Sequence, residues 1–532
     1  MMRRLRAALD GRLPGVLLLA LVVWLGATAG LRTLTLPDEG RYVGVALEML
    51  RSGEWLTPTI DGLPYFHKPP LFYWVTAAGL SGLGVNAWAA RLAPLLGAVL
   101  AAWSLYLFVR RWSGQHAAKA SLIVLATQPF FYIGAQFANL DMLVAGCISA
   151  TVLLLAHASQ LLERGLPWRR ALLAAYAMAG LGMLAKGLIG IVLPALVIVV
   201  WLLASRRWRL LWPLISVPGM ALLLLVAAPW FLVMQTRFEA FADYFFVVQH
   251  FKRFSQAGFN NMRPVWFYLA VLPLLCLPWP LWLALARRGP RADAAAASPA
   301  APAPPLRSLM WSWLAVIVLF FSMPRSKLVG YVLPALPPLA WLIAEVVRSA
   351  RARSPGATRW WHATVGVSAL LCVGVAVGLA IFHPATTREA ARVMGAARAA
   401  GEPVYFVGEY FFDAPFYGAL RPPYVVVDHW DDPDLTRADN WRKELVDAGR
   451  FDAAAAATTF MTPAQLPAAL CAHPRSWVYA RSASLADLPL LAAATPLSRN
   501  EHTALYRIEP AEPAMAATLN CPEKPNADST GK

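Results

Sequence analysis

The chain has 532 residues, of which 58% are hydrophobic and only 14% are charged, and its formal net charge is +17. A soluble domain carries about 25% charged residues, so this composition disfavours a soluble enzyme with buried helices. The arginines stand in short clusters between apolar stretches, as in the positive-inside pattern of membrane proteins. We therefore expect a polytopic membrane protein, in contact with membrane lipids, and no nucleic-acid partner.

About eleven apolar spans follow one another between residues 14 and 382, among them 117–134 and 264–286, or up to 13 if some of them are split. The first span, at about 14–31, follows a basic start and has no clear cleavage site, which predicts an uncleaved helix. The basic clusters that follow the even-numbered spans all lie on one side if the N-terminus is cytoplasmic. The stretches on the other side then face outward: 32–87, 135–141, the hairpin at Lys186, 236–263, 324–327 and everything after 383.

The first outer loop carries the stretch PDEGRY. Asp38 and Glu39 follow Pro37 at the predicted start of a helix, where acids favour the positive end of the helix dipole. Arg41 and Tyr42 come three and four residues after Asp38, so they share its face. Such a group can be a surface ion pair or the lining of a cleft, and we favour the cleft.

Further along the same loop, His67-Lys68-Pro69-Pro70 precedes the apolar run LFYW. The prolines stiffen the backbone and hold Lys68 at the predicted membrane interface. One interpretation is a lysine that snorkels from the apolar phase into water. The other is a cation aimed at an anion, which gives a reason for an outward lysine that departs from the positive-inside pattern.

More polar residues lie at the predicted outer level, where a charge avoids most of the cost of burial at mid-bilayer. Together they predict one outward cavity. Its cations suit a phosphate or pyrophosphate with a lipid tail, and Asp38 and Asp141 suit a general base or a sugar. A lipid-linked phosphosugar fits both halves. The further residues are Asp141, Lys186, His250, Lys252, Arg253, Arg325, Lys327 and Tyr331.

Residues 384–532 differ from the rest of the chain and predict a small soluble α/β domain outside the membrane, after a membrane domain at 1–383. The runs PVYFVGEYFFD, PPYVVVDHWDD, RSWVYARS and TALYRIEP are typical of short strands, and AARVMGAARAAG and WRKELVDAG of helices. Cys471 and Cys521 can pair in an oxidising periplasm, although spacing alone fixes no geometry. The acidic stretch VVVDHWDDPD is either a metal site or a solvated loop, and the loop is favoured.

The motifs PDEGRY, YFHKPPLFYW, NLDM, AKG, QHFKRF and SKLVGYVLP stand in this order over about residues 30–340. They resemble those of the bacterial lipid A 4-amino-4-deoxy-L-arabinose transferases. These are GT-C glycosyltransferases that use polyprenyl-phosphate sugars, as the protein O-mannosyltransferases do. The resemblance implies a GT-C membrane domain with a C-terminal periplasmic domain, located in the bacterial inner membrane. It also implies an undecaprenyl-phosphate-linked donor, lipid A or another envelope glycan as acceptor, and an active site facing the periplasm.

Carried over by position, the resemblance implies roles for single residues. Asp38 matches the candidate catalytic or sugar-binding acid, and Asp141 matches a second acidic site. Lys68 matches a lysine that contacts the lipid phosphate. Arg253 and Tyr331 match further residues on the phosphate side. The positive charges of Lys186 and Lys327 make these two residues further candidates for binding the phosphate. Glu39, Arg41 and Tyr42 are expected to line the site.

Two departures from the family pattern stand out. The chain has DEGRY where the family has DEPRY, and YFHKPP where the family has YFEKPP. A glutamate and a histidine of the family can hold a metal ion near the site. Here His67 replaces that glutamate while His250 remains, and two histidines can still ligate a divalent ion. The sequence requires no cofactor, and the exact sugar and acceptor stay open.

Two other functions remain as alternatives. A protein O-mannosyltransferase shares the acidic motif of the first outer loop, but the resemblance beyond that motif favours the lipid A enzymes. A transporter of lipid-linked sugars would place its polar residues at mid-membrane and contain internal repeats. The polar residues here crowd one rim, and we find no repeat in the sequence.

Overall fold

The computed structural model describes residues 2–252, 261–286, 306–382, 386–435, 437 and 440–521, with the side chains of 2–13, 250–252 and 285–286 left out. The chain divides into two compact units. The helical unit comprises Met1–Thr33 and Phe66–Pro384, and the α/β unit comprises Leu34–Tyr65 and Ala385–Lys532. The predicted domain boundary at residue 383 falls among residues 383–385, outside the described part of the chain, and stays a prediction.

The helical unit consists of α-helices joined by short turns. Three 3₁₀ helices, Ala89–Arg91, Trp208–Leu210 and Val329–Ala335, and a π-helix, Asp243–Lys252, complete its described part. The α-helices are Met2–Gly26, Leu71–Leu83, Leu92–Ser113, Gln115–Ala126, Pro129–Gly134, Leu140–Glu163, Arg169–Lys186, Ile189–Ala204, Leu211–Leu214, Val217–Arg237, Phe267–Leu275, Leu281–Ala286, Leu306–Ser322, Leu336–Arg353 and Pro355–Phe382.

Five helical stretches of the described residues are long and apolar enough to cross a membrane: Ala89–Ser113, Leu140–Glu163, Val217–Arg237, Val329–Arg353 and Pro355–Phe382. Four shorter apolar helices accompany them. The predicted number of spans stays a prediction, because it depends on which of these shorter helices cross the membrane. The membrane character that the composition predicts is consistent with this set of helices.

Prolines divide two of the predicted spans. The span predicted at 117–134 is two helices, because Pro129 starts a new helix and Gln128 before it is extended, with φ −71° and ψ 122°. The span predicted at 264–286 likewise breaks between Phe267–Leu275 and Leu281–Ala286. The helix Leu71–Leu83 lies in the predicted outer loop. Its 13 residues reach only about 20 Å, which is short of a hydrocarbon core of about 30 Å.

The helix Leu140–Glu163 is the most buried of the membrane-length helices, and it packs against Leu92–Ser113, Arg169–Lys186 and Ile189–Ala204. Glycines set its closest approach. A Cβ atom added at Gly146 would lie 2.3 Å from the carbonyl oxygen of Gly97, so neither backbone leaves room for a side chain. Such small residues allow helices to approach closely in membrane proteins.

Residues 34–65 fold with the C-terminal part of the chain. They form the helix Asp38–Ser52 and a hairpin of β1 (Thr59–Ile60) and β2 (Leu63–Pro64). The backbone N–H of Leu34 donates to the Tyr417 hydroxyl at 2.8 Å, and the backbone N–H of Tyr424 donates to Asp61 Oδ1 at 2.8 Å. The first outer loop therefore contributes an integral part of the α/β unit.

The α/β unit is built on a six-stranded mixed sheet of β3 (Val404–Val407), β4 (Val425–Val427), β5 (Phe460–Met461), β6 (Ser476–Arg481), β7 (Pro496–Arg499) and β8 (Thr503–Ile508). The order of the strands across the sheet is β5-β4-β3-β6-β8-β7. The first four strands in that order are parallel, and β8 runs antiparallel to both β6 and β7. In the register, Tyr405 lies opposite Val425 on one side and Val478 on the other.

Helices cover this sheet and complete its core. All four residues of β3 are buried, as expected for a central parallel strand. The predicted soluble α/β fold is confirmed, including the four strands and two helices expected from the sequence. Cys471 and Cys521 form a disulfide beside the core. The helices of the unit after residue 385 are Arg388–Ala397, Ala414–Tyr417, Trp441–Gly449, Ala453–Thr459, Leu466–Cys471 and Pro513–Leu519, with 3₁₀ turns at Pro463–Gln465, Ser482–Asp487 and Pro489–Ala493.

Candidate functional site

The predicted site residues fall into two groups, one in each unit. The first group stands on the opening turn of the helix Asp38–Ser52, with both acids in that turn. Glu39 is fully buried, and its carboxylate accepts the backbone N–H of Thr35 at 2.9 Å. The side chain of Glu39 thereby fixes the backbone at the start of the helix and directs the neighbouring Asp38 and Arg41.

Arg41 is the centre of this first group. Its guanidinium donates to Asp38 Oδ1 at 2.6 Å and to Glu444 Oε1, and it lies 4.8 Å from the centre of the Tyr42 ring. The Tyr65 hydroxyl donates to the other oxygen of Glu444 at 3.2 Å. Burial alone would lower the pKa of the Arg41 guanidinium, but the nearby charges, Glu444 above all, raise it well above its ordinary value.

The two carboxylates that hold Arg41 differ in exposure. The Asp38 side chain is 40% exposed, whereas that of Glu444 is 9% exposed and that of Arg41 is 13% exposed. Glu444 therefore anchors the guanidinium from the protein interior, and Asp38 presents its carboxylate to solvent. Of this group, Asp38 is the acid that an external molecule can reach, and its catalytic role stays a prediction.

In the helical unit, the stretch FHKPP is held by aromatic packing. The Phe66 ring meets the rings of Phe238 and Phe241 edge-on at 4.9 and 5.1 Å. His67 is buried, and its ring centre lies 5.7 Å from that of Tyr244. Lys68 is half-buried and stands just before the helix Leu71–Leu83. The backbone around Lys68 is thus fixed, as the prolines predict, while its phosphate contact stays a prediction.

The second group consists of Asp141, Lys186 and Tyr331. The Lys186 ammonium bonds to Asp141 Oδ1 and lies 4.5 Å from the centre of the Tyr331 ring. Asn139 caps the helix that begins at Leu140: its Oδ1 accepts the N–H of Asp141 at 3.0 Å, and its Nδ2 donates to Asp141 Oδ2 at 3.2 Å. Lys186 therefore contacts both Asp141 and Tyr331. All three are predicted site residues, and they are distant from one another in the sequence.

Lys327 has a different environment. It is buried, and its ammonium donates to the carbonyl of Arg263 at 2.9 Å and to that of Pro324. The backbone N–H of Lys327 donates to the carbonyl of Asn261 at 3.0 Å, next to a β-bridge between Met262 and Ser326. Lys327 thereby ties two loops together. The predicted contact with the donor phosphate stays a prediction.

Two predictions lie outside the described part of the chain. Arg253 falls in 253–260, and the side chain of His250 is not described. Among the described residues, no group of three or more His, Cys, Asp or Glu side chains could hold a metal ion. A divalent ion at His67 and His250 therefore stays a prediction.

The sequence did not point to Glu444 as a site residue. It lies in the stretch WRKELVDAG, which predicts a helix and carries no motif, and Arg41 is 403 residues away. Tyr65 was within reach of prediction, because it begins the quoted motif YFHKPP. The only signal in the sequence was an acidic residue on a predicted helix of the C-terminal domain. That signal does not identify the residue with which the acid pairs.

A family model and several known proteins match parts of this chain. Residues 67–232 match the family described as dolichyl-phosphate-mannose-protein mannosyltransferase. The undecaprenyl phosphate-alpha-4-amino-4-deoxy-L-arabinose arabinosyl transferase of Pseudomonas aeruginosa is 34% identical over 321 residues, which cover 59% of this chain and 56% of that protein. A protein of the same description from Sodalis glossinidius is 32% identical over 362 residues, which cover 66% and 61%. The match thus spans less than two thirds of the length of these relatives.

Solved structures extend the likeness over nearly the whole chain. ArnT from Cupriavidus metallidurans, in a crystal structure with undecaprenyl phosphate, superposes with a TM-score of 0.76 at 24% identity and covers 92% of this chain and 97% of that one. Its apo structure gives a TM-score of 0.74. The predicted resemblance and the predicted GT-C fold with a C-terminal α/β domain are confirmed. The chain is a multi-pass membrane protein with the fold of ArnT.

Proposed function

We propose that this chain is an integral-membrane glycosyltransferase that moves 4-amino-4-deoxy-L-arabinose from undecaprenyl phosphate to lipid A. The observation that carries the proposal is the match to relatives at 32–34% identity whose names describe arabinosyl transfer from undecaprenyl phosphate-alpha-4-amino-4-deoxy-L-arabinose. Lipid A as the acceptor is what the resemblance of the motifs implies. The site supports it, because an exposed acid, Asp38, is held in a fixed place by a buried Arg41.

In the proposed reaction, an oxygen of the acceptor bonds to the anomeric carbon of the sugar. The bond from that carbon to the donor phosphate breaks, and undecaprenyl phosphate leaves with the electron pair. Where the acceptor oxygen carries a proton, the Asp38 carboxylate accepts it, a role worth about 10²–10⁴ in rate for a positioned base. Lys68 and Arg253 would stabilise the charge that develops on the leaving phosphate. The proposed reaction needs no cofactor.

We place the protein in the bacterial inner membrane with its site facing the periplasm. The basic clusters support this orientation, since they all fall on the opposite side in the predicted topology. The disulfide between Cys471 and Cys521 also supports it, because disulfides persist in oxidising compartments such as the periplasm.

The test is mass spectrometry of lipid A from cells that make the wild-type protein, the Asp38→Asn variant or no protein. We expect a sugar mass on lipid A with the wild type alone. The matched control is Asp434→Asn, because Asp434 pairs with Arg437 at the same spacing and the same 2.6 Å distance but on an exposed turn. Lipid A that is modified equally by the wild type and by Asp38→Asn would contradict the proposed role of Asp38.

A second candidate function is protein O-mannosyl transfer. It is favoured by the family model matched at residues 67–232. Unchanged lipid A together with sugar on secreted proteins that is lost in Asp38→Asn would select this alternative. The same cells therefore decide between the two acceptors.

A further inference from the structure

Lys186 ends the helix Arg169–Lys186, and its ammonium group faces two other predicted site residues. We propose that Lys186 is a positioning residue, which holds the Asp141 carboxylate and the Tyr331 ring in place and does not contact the donor phosphate. This inference rests on the proposed function. It assigns Lys186 a different role from the phosphate contact that its charge alone suggests.

The ammonium of Lys186 is engaged on two sides. It bonds to Asp141 Oδ1 and lies 4.5 Å from the centre of the Tyr331 ring, within the range of a cation–π contact. The side chains of Lys186 and Asp141 are 14% and 7% exposed, so the pair is largely removed from solvent. A phosphate could draw the ammonium away only by leaving the Asp141 carboxylate without its counter-charge in this buried position.

Asp141 is fixed from its other sides as well. Asn139 Nδ2 donates to Asp141 Oδ2 at 3.2 Å, so each carboxylate oxygen has a donor of its own. Gly330 lies against the same oxygen: a Cβ atom added there would be 2.3 Å from Asp141 Oδ2. The residue before Tyr331 must therefore be small if Asp141 is to keep this position.

The Tyr331 ring has two neighbours. The centre of the Phe321 ring lies 5.3 Å from that of Tyr331, and Lys186 supplies the cation. The turn that presents Tyr331 is itself fixed, because the Tyr268 hydroxyl donates to the carbonyl of Leu328 at 2.8 Å. Lys186 thus joins two helices and the 3₁₀ turn Val329–Ala335, and its loss would release an acid and an aromatic ring together.

The experiment uses the purified full-length protein with three readouts: kcat for transfer, Kd for undecaprenyl phosphate and the temperature of unfolding. In Lys186→Met we expect kcat to fall by about tenfold or more, while the Kd changes by less than about threefold. Lys186→Arg keeps the cation and should restore at least about a third of the wild-type kcat. The control is Arg348→Met, which breaks the exposed ion pair with Glu345 and should leave all three readouts unchanged.

The opposite pattern, a changed Kd with an unchanged kcat, overturns the inference. If Lys186→Met weakens undecaprenyl phosphate binding by about tenfold or more and retains kcat at saturating donor, Lys186 contacts the phosphate. A purely structural role would also overturn the inference: kcat would fall, the Kd for undecaprenyl phosphate would rise and the folded fraction would drop together, and arginine would not restore kcat.

A double-mutant cycle tests the pairing without any transfer assay. Lys186→Met and Asp141→Asn should each lower the unfolding temperature, and the double variant should lose less than the sum, because it leaves no uncompensated charge. Additive losses would contradict the positioning role. If the wild type transfers no sugar to lipid A but the cycle is non-additive, the proposed function fails and the pairing stands.

Discussion

Glu444 and Arg41 form an ion pair across 403 residues of sequence, and the same arginine also bonds to Asp38 at 2.6 Å. The helix Trp441–Gly449 in the C-terminal part of the chain therefore fixes the orientation of the candidate catalytic acid. Tyr65 strengthens the link, since its hydroxyl donates to the second oxygen of Glu444. The C-terminal domain is thus part of the support of the site.

Replacing Glu444 should slow transfer although the residue lies far from Asp38 in sequence. Glu444→Gln removes the charge that anchors Arg41 from the interior, so the guanidinium and Asp38 lose their fixed geometry. We expect a rate between about tenfold and a hundredfold lower, measured as initial transfer to lipid A. The control is Glu402→Gln, which weakens a comparable contact with Arg475 at 3.2 Å in the same unit. Equal losses in the two variants would show that the effect is general destabilisation.

The stability of the α/β unit should rise as pH falls from about 8 to about 5. Glu48 is buried beside the β1–β2 hairpin, and burial raises the pKa of its carboxyl from 4.5 to about 7 against hydrogen bonds from Gly62, Asp61 and Thr59. The folded state then binds the proton more tightly than the unfolded state, so protonation stabilises the fold. The full effect of this one group is about 3 kcal/mol.

Asp61 acts in the same direction as Glu48, and Arg51 opposes it. Burial and the charge of Glu48 raise the pKa of the Asp61 carboxyl, while Arg51 is the nearby cation that favours ionised Glu48. Tyr410 and Tyr424 also face the two acids. Thermal unfolding between pH 5 and pH 8 checks the prediction: Glu48→Gln should flatten the profile, and Glu501→Gln, at an exposed position, should not. An unchanged profile in Glu48→Gln would assign the pH dependence to other groups.

A single methyl group at the central helix contact should destabilise the helical unit. In Gly146→Ala the new Cβ would lie 2.3 Å from the carbonyl oxygen of Gly97, so the helices must separate. Overpacking of this kind costs about 1–3 kcal/mol. Gly366→Ala is the control, because nothing lies within 4 Å of a Cβ at that position on the helix Pro355–Phe382. The thermal midpoint in detergent should fall for Gly146→Ala alone, and equal midpoints would contradict the close approach.

The disulfide should stabilise the α/β unit by closing a loop. Cys471 and Cys521 are 50 residues apart, and a loop of this length predicts a loss of about 4 kcal/mol when the bond is removed. Denaturant unfolding of the Cys471→Ser/Cys521→Ser double variant measures the loss. A reducing agent should lower the stability of the wild type by a similar amount and leave the double variant unchanged. A reductant effect of equal size on both proteins would point to another cause.

Local features of the fold and site could be predicted from the sequence. The spacing of Asp38 and Arg41 predicts a shared helical face, and they bond at 2.6 Å. Apolar runs predict the helices, and β-branched residues predict strands such as Val425–Val427. These features depend on neighbours within one or two turns of the chain, where periodicity carries the information.

Long-range pairings could not be predicted in the same way. The positive charge of Lys186 suggests a phosphate ligand, but its pairing with Asp141 depends on how two helices pack 45 residues apart. The anchoring of Arg41 by Glu444 depends on the C-terminal fold. The packing of 34–65 with 385–532 was likewise absent from the predicted domain division, since hydropathy separates membrane from water and does not tell one soluble segment from another.

The α/β unit consists of two segments that are far apart in the sequence, so the ribosome makes them at different times. The ribosome makes residues 34–65 first and must then make residues 66–384 before the partner segment appears. At about 5–20 residues per second this interval lasts some tens of seconds. Throughout it, the segment 34–65 lacks the contacts that Phe412 and Tyr417 later give to Gly40 and Leu34. The early segment therefore waits without its folding partner during translation, and a protein cut short before residue 385 would contain the helix Asp38–Ser52 with nothing to fold against.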